Sequence, residues 1–133
     1  MISTPQSAGV SKAAFWSGWA ITGLVVLMLT FSASMKLSQA QPVLEEFARL
    51  GYASNAALAI GIVEIICAVI YLIPQTAVLG AILLTGYLGG AVATHVRISD
   101  PFYGPVIGGV LVWIGLYLRE PRLRALAPWR SRA

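Results

Sequence analysis

Four long apolar runs alternate with short polar connections along the chain. The runs cover residues 18–35, 55–73, 77–96 and 101–118. Each is close to the ~20 residues that an α-helix needs to cross a bilayer core of ~30 Å, so we predict a membrane-spanning helix in each. The connection at Ile73-Pro74-Gln75 leaves room only for an antiparallel turn. The pattern therefore predicts an all-α polytopic membrane protein, an antiparallel bundle of four transmembrane helices.

The segment between the first two spans has a different, amphipathic pattern. Residues 41–51 carry Pro42 at a first-turn position and end with Gly51, as a short helix does. Their apolar residues recur at helical spacing, at Val43, Leu44, Phe47 and Leu50. We predict a short helix that lies on the membrane surface. Two roles stay open for it, a plain connector with a solvated charged face and a lid over a site between the spans.

Charged residues are sparse along the chain. Of 133 residues, 58% are hydrophobic and 11% are charged, a balance that lies outside the range of soluble domains. One bundle accounts for this length, so we predict a single domain, residues 1–133, with a polar lead over residues 1–17. The formal net charge of +4 does not indicate nucleic acid, because five of the nine Lys and Arg residues lie in one tail, residues 119–133.

This basic tail sets the predicted orientation. Its five arginines are Arg119, Arg122, Arg124, Arg130 and Arg132. With Lys12 they put six positive charges on the side of the termini, whereas the opposite loops hold three, at Lys36, Arg49 and Arg97. The positive-inside rule therefore places both termini in the cytoplasm. The tail also suits contact with anionic lipid headgroups.

Two single residues limit the cofactor chemistry. Cys67 is the only cysteine and lies inside an apolar run, which excludes dithiol chemistry and thiolate clusters within the chain. His95 is the only histidine, so it supplies neither two axial haem ligands nor a multi-histidine zinc site. We therefore expect no metal and no intrinsic cofactor.

Two ionisable side chains within the spans are candidates for function. A carboxyl such as Glu64 costs on the order of 3 kcal/mol near the middle of a membrane helix, so it normally faces the interior and has a partner. At ~1.5 Å per residue, Glu64 lies about 14 Å below the outer end of its helix and His95 only about 3 Å below, so we expect no direct bond. Lys36, Tyr87 and Thr94 would complete a polar path between them. These five residues form the predicted ligand-binding set, with Glu64 and His95 as catalytic candidates.

Structural roles stay open for the same residues. Glu64 would then only fix the helix register, His95 would be tolerated one turn from the interface, and Lys36 would be an interfacial anchor.

Small and polar residues predict which helix faces meet. The second span has a stripe of Gly61, Glu64, Ala68 and Tyr71, and the third has one of Tyr87, Ala91, Thr94 and His95. A similar stripe on the first span joins Gly23, Thr30 and Ser34. The pairs Gly86/Gly90 and Gly104/Gly108 predict close backbone approach, more within the chain than between copies. Asp100-Pro101 predicts the cap and first residue of the fourth helix.

Several of these residues form motifs that resemble a known family. The motifs are Ser32-x-x-x-Lys36-Leu37, Arg49-Leu50-Gly51-Tyr52, Gly61-x-x-Glu64 and Leu84-x-Gly86-Tyr87-x-Gly89-Gly90-Ala91-x-x-Thr94-His95-x-Arg97. As a set, over residues 16–128, they resemble the DoxX-like family of small bacterial membrane proteins. The resemblance implies a four-helix membrane bundle in the bacterial inner membrane, with Lys36, Glu64 and His95 at recurrent polar positions. The family takes its name from a subunit of a thiosulfate:quinone oxidoreductase.

We therefore expect a small membrane subunit, or a quinone- or lipid-binding module, of a redox or envelope-stress system. A soluble or membrane oxidoreductase is the expected partner, and self-association stays open. One alternative is an autonomous enzyme that uses Glu64 and His95 as acid and base on a hydrophobic lipid. Another is a chaperone-like or transport protein without chemistry.

Overall fold

Helices account for all of the regular structure that the computed structural model describes, in residues 11–53, 55–127 and 129. In chain order they are α1 (Lys12–Leu37), α2 (Gln41–Arg49), α3 (Ala56–Leu72), α4 (Ala77–Arg97), α5 (Tyr103–Arg119) and α6 (Pro121–Leu126). A single 3₁₀ turn, Pro74–Thr76, joins α3 to α4. The short helix predicted between the first two spans is present as α2.

The four long helices pack around a shared core. Each contacts two of the others: α1 lies against α3 and α5, and α4 also lies against α3 and α5. The largest buried apolar side chains include Tyr71, Leu84, Val112 and Leu116. Short helix α2 rests on α1 and α3, whereas α6 rests on α5.

The outward faces of the long helices are strongly apolar. Leu27, Phe31, Ile66, Ile82 and Val110 are each more than half exposed. A soluble monomer rarely exposes so much contiguous apolar surface, whereas a hydrocarbon environment favours it. By length and composition, α1 and the helical segment Pro74–Arg97 qualify as membrane spans, and α3 and α5 are apolar helices of 17 residues each. The fold is therefore compatible with insertion into a membrane.

Two predicted helix starts were wrong. Helix α1 begins at Lys12, six residues before the predicted span, because the Ser11 hydroxyl accepts a hydrogen bond from the Ala14 amide at 3.1 Å and caps it. Helix α5 begins at Tyr103 rather than Pro101. Asp100 does not cap it, since its carboxylate binds Arg49 at 2.8 Å, and a charged donor binds a carboxylate more strongly than an amide does.

Parts of two predicted segments lie outside the described residues. They are residues 1–10 of the polar lead, and residues 128 and 130–133 of the basic tail.

The stripe predicted on α3 is buried, as expected, whereas the stripe predicted on α1 is exposed. Gly61, Glu64, Ala68 and Tyr71 are all buried. On α1, however, Gly23, Thr30 and Ser34 are exposed, and the buried face is Gly18, Thr22, Val25, Leu29 and Ala33. A small hydroxyl does not need the protein interior in a helix, because it can bond to its own backbone, as Ser34 does to the Phe31 carbonyl at 2.7 Å.

The glycine contacts predicted within the chain were also wrong. A Cβ added to Gly86, Gly90 or Gly104 would meet no atom within 4 Å, and at Gly108 it would meet only the Leu88 side chain. The helices approach most closely at other glycines, namely Gly18, Gly61, Gly80 and Gly115. Spacing by four residues does not specify which face meets a neighbouring helix, and the predicted faces border cavities instead.

Candidate functional site

A buried ion pair joins α1 to α3. The Lys36 ammonium donates to Glu64 Oε2 at 2.7 Å, and the Glu64 and Lys36 side chains are only 2% and 13% exposed. Ser32 bridges the two groups, since its Oγ accepts from Lys36 Nζ at 2.5 Å and donates to Glu64 Oε2 at 3.4 Å. Each charge therefore has its counter-charge inside the fold, and Ser32 adds a hydrogen bond to each group.

Local sequence explains this geometry. Ser32 and Lys36 are four residues apart on α1, so their side chains lie one above the other on the same face. Gly61 lies almost one turn before Glu64 on α3, and a Cβ there would be 3.0 Å from Lys36 Cβ. The absence of that Cβ lets α3 approach α1 closely enough for a direct pair.

The ion pair borders a cavity of about 240 Å³ between the four long helices, which we call the central cavity. Its walls are mainly apolar and include Val25, Leu29, Leu88, Leu111 and Val112. Among the described residues that line it, Lys36 and Glu64 are the only charged ones. Ser32 and Tyr87 add hydroxyl groups to the same lining.

A second cavity, of about 330 Å³, lies beneath the short helix α2 and is called here the α2 cavity. Phe47 and Leu50 line it from above, and Thr94 lines it from α4. The two cavities share Lys36 and Tyr87 in their linings. The Lys36 side chain thus lies where the two cavities adjoin.

Helix α2 is held over its cavity by polar contacts with the end of α4. The Tyr52 hydroxyl bonds to Thr94 Oγ1 at 2.8 Å, and Arg97 donates to the Leu50 carbonyl. Phe47 is buried and anchors the apolar face of the helix.

His95 lies in a separate polar cluster near the end of α4. Its Nδ1 bonds to the Ala91 carbonyl at 2.7 Å, and its Nε2 lies 4.0 Å from Asp100 Oδ2. His95 is not among the described residues that line the two cavities. The structure thus brings Lys36, Glu64 and Tyr87 together and leaves His95 apart, while Thr94 borders only the α2 cavity.

The cluster around His95 has the geometry of a salt-bridge network. Three ligand atoms, one each from Glu46, His95 and Asp100, lie within 4.8 Å of one another. Among the described residues, this is the group that could hold a metal ion. However, Arg49 already donates to both carboxylates. Its guanidinium lowers the pKa of Asp100, and the hydrogen bonds that Arg49 donates to Glu46 and Asp100 raise the pKa of Arg49. A cation would have to displace Arg49.

A second buried charge was missed at the opposite end of the fold. Arg119, which the sequence assigned to the tail, is only 6% exposed. It donates to Thr22 Oγ1 at 3.0 Å and to the Tyr71 carbonyl at 2.9 Å, and its guanidinium lies 4.4 Å from the Trp19 ring centroid. The spacing offered a signal, because Arg119 continues the buried face of α5 three residues after Leu116.

Comparison with known proteins identifies a family for most of the chain. The model of the DoxX-like family matches residues 20–116. This range contains the described residues that line both cavities. No curated protein and no solved structure gives a significant match.

Proposed function

The chain belongs to the DoxX-like family, and on this basis we propose that it is an integral protein of the bacterial inner membrane with a polar pocket around Glu64. It acts as a small membrane subunit, or as a quinone- or lipid-binding module, of a redox or envelope-stress system. A soluble or membrane oxidoreductase is the partner in this proposal.

All four long helices cross the membrane in the proposed arrangement. Helices α3 and α5 have 17 residues each, or about 26 Å at the usual rise. That is slightly less than a ~30 Å core, a mismatch that local thinning of the bilayer accommodates at modest cost. An antiparallel bundle of four spans then places both termini on one side.

The distribution of the other positive charges along the sequence supports a cytoplasmic location for the termini. The side chains of Lys36 and Arg119, in helices α1 and α5, are largely buried, so neither counts as a loop charge. The side of the termini keeps Lys12 and four tail arginines, whereas the opposite side keeps Arg49 and Arg97. The positive-inside rule favours the more positive side as cytoplasmic.

One observation carries the proposed pocket, namely the Lys36–Glu64 pair at 2.7 Å on the wall of the central cavity. Replacement of a buried ion pair by well-packed apolar residues is often neutral or stabilising, so stability alone is a weak reason for it. An ion pair that borders an apolar cavity instead resembles the usual ligand site, with few polar groups among apolar walls.

The enzyme alternative receives no such support. It requires Glu64 and His95 to act on one substrate, and these residues lie in separate clusters.

The test is to purify the protein from its membrane and identify by mass spectrometry which small molecules remain bound. We expect a quinone or a lipid with the wild type, a large loss with Glu64→Gln, and no loss with Glu45→Gln. Glu45 is an exposed carboxylate on α2 and serves as the matched control. Equal retention by all three proteins would refute the pocket.

A further inference from the structure

We propose that the central cavity binds a neutral lipid whose polar head accepts a hydrogen bond from Lys36. The inference rests on the proposed function and names the chemical class of ligand for the same site. It follows from the donors, the charges and the shape of the cavity.

One donor on Lys36 remains for a ligand. A lysine ammonium has three hydrogens. Among the described residues it has two acceptors, Ser32 Oγ and Glu64 Oε2. The third hydrogen therefore has no protein acceptor in the described part of the chain, and Lys36 lines the central cavity. A carbonyl or ester oxygen in the cavity would accept it.

The charge balance of the lining selects a neutral head. Lys36 and Glu64 neutralise each other, and the described lining holds no other charged side chain. An anionic head would leave one uncompensated negative charge among apolar walls, and a cationic head one positive charge. Each is costly because desolvation of an ion is not repaid without a partner.

The shape of the cavity favours an apolar chain attached to this head. Gly104 and Gly108 form part of the wall on α5, and a Cβ on Gly108 would meet only Leu88, at 3.6 Å. A groove on the outer surface between α4 and α5 shares Leu88 and Pro105 with the central cavity. The chain of the lipid leaves the cavity past Leu88 and continues along this groove into the surrounding bilayer.

The experiment compares three probes that each contain a linear chain of sixteen carbons: methyl palmitate, in which the carbonyl carbon is one of them, hexadecyl sulfate and hexadecane. Each is radiolabelled, and its retention on the immobilised full-length protein is measured in the same detergent at neutral pH. We expect methyl palmitate to bind at least about tenfold more tightly than the sulfate, given the cost of an unpaired buried charge. We also expect methyl palmitate to bind about tenfold more tightly than hexadecane, because its carbonyl accepts one hydrogen bond from a charged donor.

Variants locate the binding. Gly108→Leu fills the cavity without altering Lys36 and should abolish retention of methyl palmitate. Gly23→Leu is the matched control, because Gly23 is an exposed helical glycine with nothing within 4 Å of an added Cβ. The double variant Lys36→Met/Glu64→Leu should retain methyl palmitate no better than hexadecane.

The outcomes separate this inference from the proposed function. Tighter binding of hexadecyl sulfate than of methyl palmitate, lost in Gly108→Leu, would overturn the neutral head and leave the pocket in place. Failure of all three probes to bind, together with no co-purified molecule, would overturn both. Retention of methyl palmitate that is unchanged by Gly108→Leu would move the binding away from this cavity and also overturn the inference.

Discussion

The backbone of Gly61 packs against the base of the Lys36 side chain: a Cβ on Gly61 would lie 3.0 Å from Lys36 Cβ. This contact sets the spacing of α1 and α3 at the level where Lys36 meets Glu64. A glycine with no catalytic group of its own thus positions the ion pair.

The first prediction follows from that contact. Gly61→Ala should destabilise the protein by up to about 2 kcal/mol, because overpacking costs ~1 to 3 kcal/mol and the higher helix propensity of alanine offsets up to ~1 kcal/mol of that cost. Thermal unfolding in detergent measures the change. Gly23→Ala, at an open and exposed position, should be neutral or stabilising. A stabilised Gly61→Ala protein would show that the α1–α3 spacing is not fixed at this residue.

The second prediction concerns the buried guanidinium. Arg119→Gln removes a charged donor to Thr22 and Tyr71 and the stacking on Trp19. We expect a loss of roughly 2 to 4 kcal/mol of unfolding free energy, since hydrogen bonds from a charged group contribute ~1.5 to 3 kcal/mol and a cation–π contact ~1 kcal/mol. Arg122→Gln changes an exposed neighbour and should stay within ~0.5 kcal/mol of wild type. Equal effects of the two substitutions would place Arg119 in solvent.

The third prediction concerns pH and helix α2. Because Arg49 lowers the pKa of Asp100 in the folded protein, their pair contributes stability that is fully present above the unfolded pKa of ~3.9. That contribution is lost as the pH falls through the lower, folded pKa. Amide hydrogen exchange in α2, corrected for intrinsic rates, should therefore be unchanged between pH 7 and 5 and accelerate below about pH 4.

A substitution supplies the control for this pH effect. Asp100→Asn should show the faster α2 exchange already at pH 7 and should lose the acid-dependent step. Faster exchange at low pH in Asp100→Asn as well would assign the step to another carboxylate.

The fourth prediction is the topology. Reporter fusions after Gln75 and Ala133 should report the cytoplasm, and fusions near Gln39 and Ser99 should report the outside. A periplasmic signal at Ala133 would reverse the orientation. Opposite signals at Ser99 and Ala133 test specifically whether α5, with its 17 residues, crosses the membrane.

Glu64 could be identified from the sequence because its burial depends only on its position within an apolar run. A carboxyl in an apolar run must face the interior, and its stripe on α3 was read correctly from spacing. The pairing of Glu64 with Lys36 was harder to predict from the sequence. It depends on how α1 and α3 are rotated about their axes, and the small polar residues of α1 predicted the wrong rotation.

Arg119 and the glycine pairs show a second limit. Counting charges treats every arginine after an apolar run as tail, whereas the last turn of α5 still belongs to the buried face. Glycine spacing identifies where two helices can approach closely, but it does not show whether a neighbouring helix faces those glycines. Gly104 and Gly108 therefore border a cavity rather than a neighbouring backbone.

The fifth prediction separates a ligand site from a structural ion pair. Glu64→Leu alone leaves the Lys36 ammonium buried without its counter-ion and should cost roughly 3 to 5 kcal/mol. The double variant Lys36→Met/Glu64→Leu removes both charges and should be as stable as wild type, or more stable by about 1 to 4 kcal/mol. Thermal unfolding of the three proteins in the same detergent checks this order.

The most direct measurement is retention of the co-purified ligand by that double variant, quantified by mass spectrometry on the same sample whose unfolding temperature is recorded. We predict an unfolding temperature at or above that of wild type together with loss of the bound quinone or lipid. A double variant that unfolds like wild type and still carries the ligand at the wild-type level would contradict the claim that Lys36 and Glu64 form its binding site.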